Sequence, residues 1–140
     1  MDINGARVMV VGGASGMARA TAERLAAGGA KVAILDRPGT EGANVAAAIG
    51  GYFFECDITD FDGTTATVAA AIEALGGLDV GVNVAGGGIG KKTLDKHGAA
   101  HDLESFRQVV DLVGLSAAFG LLAAALLLAG LATSIRRSTS

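Results

Sequence analysis

The chain is short of the residues that cross-link, stack or bind polyanions. Cys56 is its one cysteine, so an intrachain disulfide is excluded, and with it a small disulfide-stapled scaffold. Such usage fits a reducing compartment, and the cytoplasm is the expected location. Aromatic residues make up only 4% and tryptophan is absent. A bias toward Gly, Ala and Val instead favours helices packed closely on a sheet over an aromatic-rich sandwich. Basic charge is also scarce: 11 Lys and Arg against 14 Asp and Glu give a net charge of −3. No cationic footprint for nucleic acid results. The first residues do not read as a signal peptide, because Asp2 and Asn4 precede only a very short apolar run.

What remains is a chain for one domain. Its 140 residues suffice for a single core and not for two. Hydrophobic residues account for 51%, which rules out disorder. Over the first 90 residues two textures alternate. β-Branched runs occur at Arg7–Val11, Lys31–Leu35, Tyr52–Cys56 and Leu78–Val84. Ala-rich stretches at Gly16–Ala27, Thr40–Ile49 and Asp62–Leu75 predict helices, and a fourth is expected from about Leu103. The glycine pairs Gly28-Gly29, Gly50-Gly51 and Gly76-Gly77 predict left-handed helix ends. Continuous apolar strands separated by helices indicate an α/β, Rossmann-like, doubly wound parallel sheet with both faces covered. The expected order of its four strands is 3-2-1-4, and Gly86–His101 is read as a long loop at the carboxyl end of the fourth.

The chemistry-bearing pattern is Val11-Gly12-Gly13-Ala14-Ser15-Gly16-Met17-Ala18. Gly12 permits a tight turn out of the first strand. Gly16, at the helix start, lets backbone approach a pyrophosphate and presents the free N–H groups of a helix N-terminus. Ala18 takes the third small position, which the dinucleotide fingerprint tolerates. Asp36 closes the second strand 24 positions beyond Gly12. A carboxylate there accepts hydrogen bonds from the adenosine ribose hydroxyls and repels a 2′-phosphate, so NAD is the expected cofactor. A solvated turn residue ahead of Arg37-Pro38-Gly39 is the alternative reading of Asp36.

In this order and spacing, GGASGMARAT, LDR, CDIT and VNVAGGG resemble the short-chain dehydrogenase/reductase family. KTLDKHGAAHDLESFRQVVD is similar to a loop and helix of its type 2 3-hydroxyacyl-CoA/hydroxysteroid dehydrogenase branch. The resemblance spans roughly Ala6 to Asp111, and residues 112–140 read as an apolar helix and a divergent tail. It implies that Gly12, Ser15, Gly16 and Met17 surround the pyrophosphate and nicotinamide ribose. It implies further that Asp36 takes the adenosine ribose, Asp57 and Ile58 hold the adenine, and Val84, Ala85 and Gly86 line the end of the fourth strand. For Asp57 a helix cap is the alternative.

Departures from the family pattern are as informative. Val11 stands where the family has threonine, and Asn83-Val84-Ala85-Gly86 varies Asn-Asn-Ala-Gly. Asp111 runs straight into Leu112-Val113-Gly114, as if two residues and the family's asparagine were deleted. The catalytic serine and the Tyr-x-x-x-Lys pair have no counterpart: Tyr52 is the only tyrosine, and no lysine follows Lys96. No catalytic residue is assigned. Losing a general acid–base alone costs ~10²–10⁴-fold, so an NAD(H)-binding protein with little or no turnover is expected. Alternatives are a non-enzymatic interaction module completed by a partner chain, and a tail-anchored nucleotide-binding protein.

Three further features read as follows. His97 and His101 with Asp95 and Asp102 could nominally hold a metal, but the spacing needs a helix and Gly98 intervenes, so a solvated loop is expected and no metal assigned. Lys91-Lys92 could attract a CoA phosphate or simply solvate the loop. Leu112–Ala132 is uncharged and, as a helix, would span ~31 Å. Its Ala and Gly content and the family's helix at this place favour a buried helix that builds a homo-oligomer, with membrane insertion as the alternative.

Overall fold

The first apolar run forms strand β1 (Arg7–Val11), the centre of a parallel sheet. Helix α1 (Gly16–Ala27), strand β2 (Lys31–Asp36), helix α2 (Gly42–Ala48), strand β3 (Tyr52–Glu55), helix α3 (Phe61–Leu75) and strand β4 (Val80–Asn83) follow in turn. The computed structural model describes residues 2–94 and 96–114, and 103–114 are helical. The strand order is β3-β2-β1-β4, as expected. Pairing is parallel throughout: Arg7 lies opposite Lys31, Val8 opposite Val80, and Ala33 opposite Tyr52.

Alternation along β1 and β2 sorts the core into two layers. Val8, Val10, Val32 and Ile34 face Ala18 and Ala22 of α1 and Val45 and Ala46 of α2. Met9, Val11, Ala33 and Leu35 face the other way, onto Val68, Ala71 and Leu75 of α3, with Leu112 packed alongside. Met9, Ile34 and Leu35 are fully buried, and each contributes roughly 1.5–3 kcal/mol by leaving water. Only these two central strands are apolar and covered on both sides. β3 and β4 border the described sheet and have no fully buried residue, only partly buried and exposed ones. That is the pattern of strands with one open flank.

The paired glycines end the helices by one mechanism. Ala30 N–H reaches Leu25 O, Gly51 N–H reaches Ala46 O, and Gly77 N–H reaches Ile72 O, at 2.8–3.1 Å. Each closes a six-to-one turn that needs a left-handed residue just before it. Gly29, Gly50 and Gly76 supply it, with φ of 88°, 65° and 76°. For α1 the left-handed position is therefore the second glycine of its pair. Other boundaries shift by one or two residues. α2 starts at Gly42 rather than Thr40, because Thr40 Oγ1 donates to Arg37 O in the preceding turn. β4 starts at Val80 because Asp79 is committed to Arg7.

At the amino ends of the strands, Arg7 Nε and Nη2 donate to the two Asp79 carboxylate oxygens at 2.8 and 2.6 Å, and Nη1 donates to Gly76 O at 2.7 Å. The guanidinium holds the Asp79 carboxyl down at about 2. Both side chains remain over a third exposed, so after solvent screening the pair contributes about 1 kcal/mol or less.

The Gly86–His101 stretch is irregular, with one antiparallel bridge from Leu94 to Ala100. Asp102 ends it, accepting Ser105 N–H at 2.7 Å as a helix cap, and Lys91 Nζ donates to Asp102 and to Ser105 Oγ. Lys91 is thus engaged, not a bare cation on a loop. The segment holding His97 and His101 is non-helical, and no group of three metal-type ligands occurs among the described residues. Asp95 and the span from Leu115 to Ala132 lie outside those residues. Within them, no helix is long and apolar enough to cross a membrane.

Candidate cofactor site

The carboxyl ends of β1, β2 and β4 open onto one cleft of about 600 Å³. Neighbouring strands β1 and β4 send their chains to opposite faces of the sheet, which leaves a crevice at this switch of direction. All ten residues singled out in the sequence line it. Gly12, Ser15, Gly16 and Met17 come from the turn into α1, and Asp36 from the end of β2. Asp57 and Ile58 follow β3, and Val84, Ala85 and Gly86 follow β4.

The turn is tightly set. Gly12 has φ of 79°, and a Cβ there would stand 3.1 Å from the Ala85 backbone. Only glycine lets the loops after β1 and β4 meet so closely. Gly16 is the opposite case: its φ is 56°, but a Cβ would meet nothing within 4 Å, as at Gly86. These backbones border open space. Helix α1 begins there with Ser15 at the cap position, yet no side chain caps it and no acidic residue occupies its first turn. Its first N–H groups have no intrahelical acceptors and carry the positive end of the helix dipole.

Asp36 Oδ2 accepts Ala14 N–H and Oδ1 accepts Arg37 N–H, both at 2.8 Å. Asp57 Oδ1 accepts the backbone N–H and the hydroxyl of Thr59 at 2.9 and 2.7 Å. The Thr59 hydroxyl, then its N–H, hold this carboxyl below its ordinary range. The cap of α3 is Asp60, whose side chain accepts Gly63 N–H. The capping alternative for Asp57 therefore passes to its neighbour three residues on. Cys56 is a buried small residue. Its thiol donates to Thr64 Oγ1 at 3.7 Å, while the Thr64 hydroxyl donates to Asp57 O. Burial pushes the thiol pKa up, which makes it a poor nucleophile.

Gln108, Val109 and Leu112 also line the cleft, and sequence reasoning missed them. Their spacing of one and four places them on one side of a helix, a signal present in the sequence. Which way that side faces depends on the preceding loop, whose course has no periodicity to read.

A family model described as short chain dehydrogenase matches residues 6–129. The chain belongs to the short-chain dehydrogenase family. The match runs beyond Asp111, into the apolar segment. The 3-hydroxyacyl-CoA dehydrogenase type-2 of Drosophila melanogaster is 40% identical over 113 residues, covering 79% of this chain and 44% of that protein. Among solved structures, an NADH-dependent reductase complexed with NAD has a TM-score of 0.74 at 29% identity, covering 99% of this chain and 57% of its own. The 3-ketoacyl-(acyl-carrier-protein) reductase of Brucella melitensis, complexed with NADH, has a TM-score of 0.71 at 29% identity. It covers 89% of this chain and 49% of its own. The chain spans about half the length of these relatives.

Proposed function

We propose that the cleft binds NAD(H), in preference to NADP(H). The observation that carries the reading is a carboxylate, Asp36, on the same cleft as the uncapped, acid-free N-terminus of α1. The two features suit the two ends of one ligand. Open space over Gly16 and Gly86 admits a pyrophosphate against the α1 N–H groups. Asp36 accepts the adenosine ribose hydroxyls and repels a 2′-phosphate. Asp57 and Ile58 form the adenine end, and Val84 to Gly86 the wall toward the nicotinamide. Bound NAD(H) supplies the hydride chemistry of the family. Titration with NADH followed by fluorescence, compared with NADPH, tests the assignment. Tighter NADH binding is expected, and equal or tighter NADPH binding overturns it.

A polypeptide of these 140 residues is expected to turn over hydroxyacyl-CoA or hydroxysteroid substrates little or not at all. Tyr52, its only tyrosine, opens β3 at the edge of the sheet remote from the cleft. It has no place in proton exchange with a substrate oxygen. NADH production above a no-enzyme control would refute this.

We also infer a homo-oligomer; of the expected interface helix, Leu112–Ala132, only Leu112 to Gly114 are described, within the helix over residues 103–114. Leu103, Phe106, Val110 and Val113 recur three and four apart, and each is more than half exposed. Such a stripe favours burial against a second copy. Light scattering without detergent should report more than one chain. A monomer, or a protein that stays soluble only in detergent, sinks this reading.

A further inference from the structure

The glycine turn is tied to β2 by backbone and side-chain contacts. Gly12 N–H donates to Leu35 O at 2.8 Å. A Cβ on Gly13 would fall 2.8 Å from Ile34 Cγ2, so the turn packs closely on the Ile34 side chain. The next tie is Ala14 N–H to Asp36 Oδ2, spanning 22 residues. Ala14 is only 4% exposed, so its N–H has little access to water if that acceptor is lost. Arg37 N–H on Oδ1 fixes the plane of the same carboxylate. Each carboxylate oxygen accepts more than one hydrogen bond, so these ties leave capacity for a hydroxyl donor.

We infer that Asp36 is a positioning residue for the glycine turn as well as the reader of the ribose. Through Ala14 it sets where the backbone of Ser15 and Gly16 stands, and so where the open end of α1 aims. The ribose role rests on the NAD(H) reading, whereas the anchoring role does not. One consequence separates this from ribose selection alone. Removing Asp36 weakens NADH without improving NADPH, because the turn that receives either pyrophosphate is released.

Two measurements on the full chain test it. In cofactor-free protein, amide exchange at Ala14 should be slow in the wild type and in Asp36→Asn, whose amide oxygen still accepts. It should be faster by about tenfold in Asp36→Ala, with β1 and β2 amides unchanged. Reduced nicotinamide mononucleotide has a phosphate but no adenosine ribose. Its affinity should fall about tenfold in Asp36→Ala and recover in Asp36→Asn. Unchanged exchange at Ala14 and unchanged mononucleotide binding in Asp36→Ala would overturn the anchor. If that variant does not fold, the wild type decides: scalar coupling between Ala14 N and the Asp36 carboxyl carbon supports the anchor, and its absence refutes it. Failure to bind NADH with the coupling intact would sink the cofactor reading and leave the anchor standing.

Discussion

Helices α1 and α3 rise from the same edge of the sheet and are finished in opposite ways. α3 is sealed by Asp60 on Gly63 N–H, with Asp62 in its first turn. α1 carries Ser15 at the equivalent place, with no side-chain hydrogen bond to its N–H groups, and has no acid in its first turn. Both starts face the same energetic problem, four backbone donors without partners. The chain solves it locally for α3 and leaves it unsolved for α1, where the cleft is. Helix α2 is also uncapped and free of acid in its first turn, so what sets α1 apart is the cleft in front of its open end.

Exchanging the finishes should exchange the phenotypes. Ser15→Asp places a carboxylate on the α1 donors. It should raise or preserve Tm while lowering NADH affinity at least about tenfold, by occupying the donors and repelling the pyrophosphate. Unimpaired NADH binding, measured by titration, would mean that the α1 end is not the phosphate site.

The mirror experiment is Asp60→Ala. Loss of this cap should cost about 1 kcal/mol in denaturant unfolding and leave NADH affinity unchanged, since Asp60 does not line the cleft. A change in affinity comparable to that of Ser15→Asp would erase the distinction between the two helices.

The opposite edge of the sheet supplies the smallest effect and a control. Asp79 is held at about 2 by Arg7, below the 3.8 of an unpaired carboxyl. Its contribution to stability is therefore complete above pH ~4 and lost as pH falls toward 2. Asp79→Asn should lower stability at neutral pH by about 1 kcal/mol or less, with the difference from wild type shrinking below pH ~4. A difference that persisted undiminished at pH 2 would show that charge is not its source.

Legibility in the sequence followed the range of the forces involved. β1 and α1 were readable to the residue, because a β-branched run, a glycine turn and a glycine pair are local signals. The strand order came with the doubly wound fold that the motifs resemble, and the ten site residues share one cleft because strand ends converge there. Capping was less legible: Asp57 and Asp60 are chemically equivalent, and only the path of the chain decides which reaches Gly63. Gln108, Val109 and Leu112 were hidden by the glycine-rich loop before them. The second role of Asp36 was out of reach, since nothing in a sequence says that Ala14 N–H points across 22 residues.

The sequence separations of the paired strands predict an order of assembly. β1 meets β2 through Arg7 and Lys31, but meets β4 through Val8 and Val80. The second closure spans about three times as much chain, so its entropic cost is higher by about 1 kcal/mol. β2 is expected to gain its partner sooner, with β4 joining a ribbon already formed. Pulse-labelled exchange during refolding should protect the amides of Val32 to Leu35 before those of Val80 to Asn83, and the reverse order would contradict this. The floor of the cleft is the seam where Val84 N–H meets Val11 O. Binding capacity, on this ordering, arises at the final closure, and a nascent chain acquires its ligand only after nearly every other strand contact has been made.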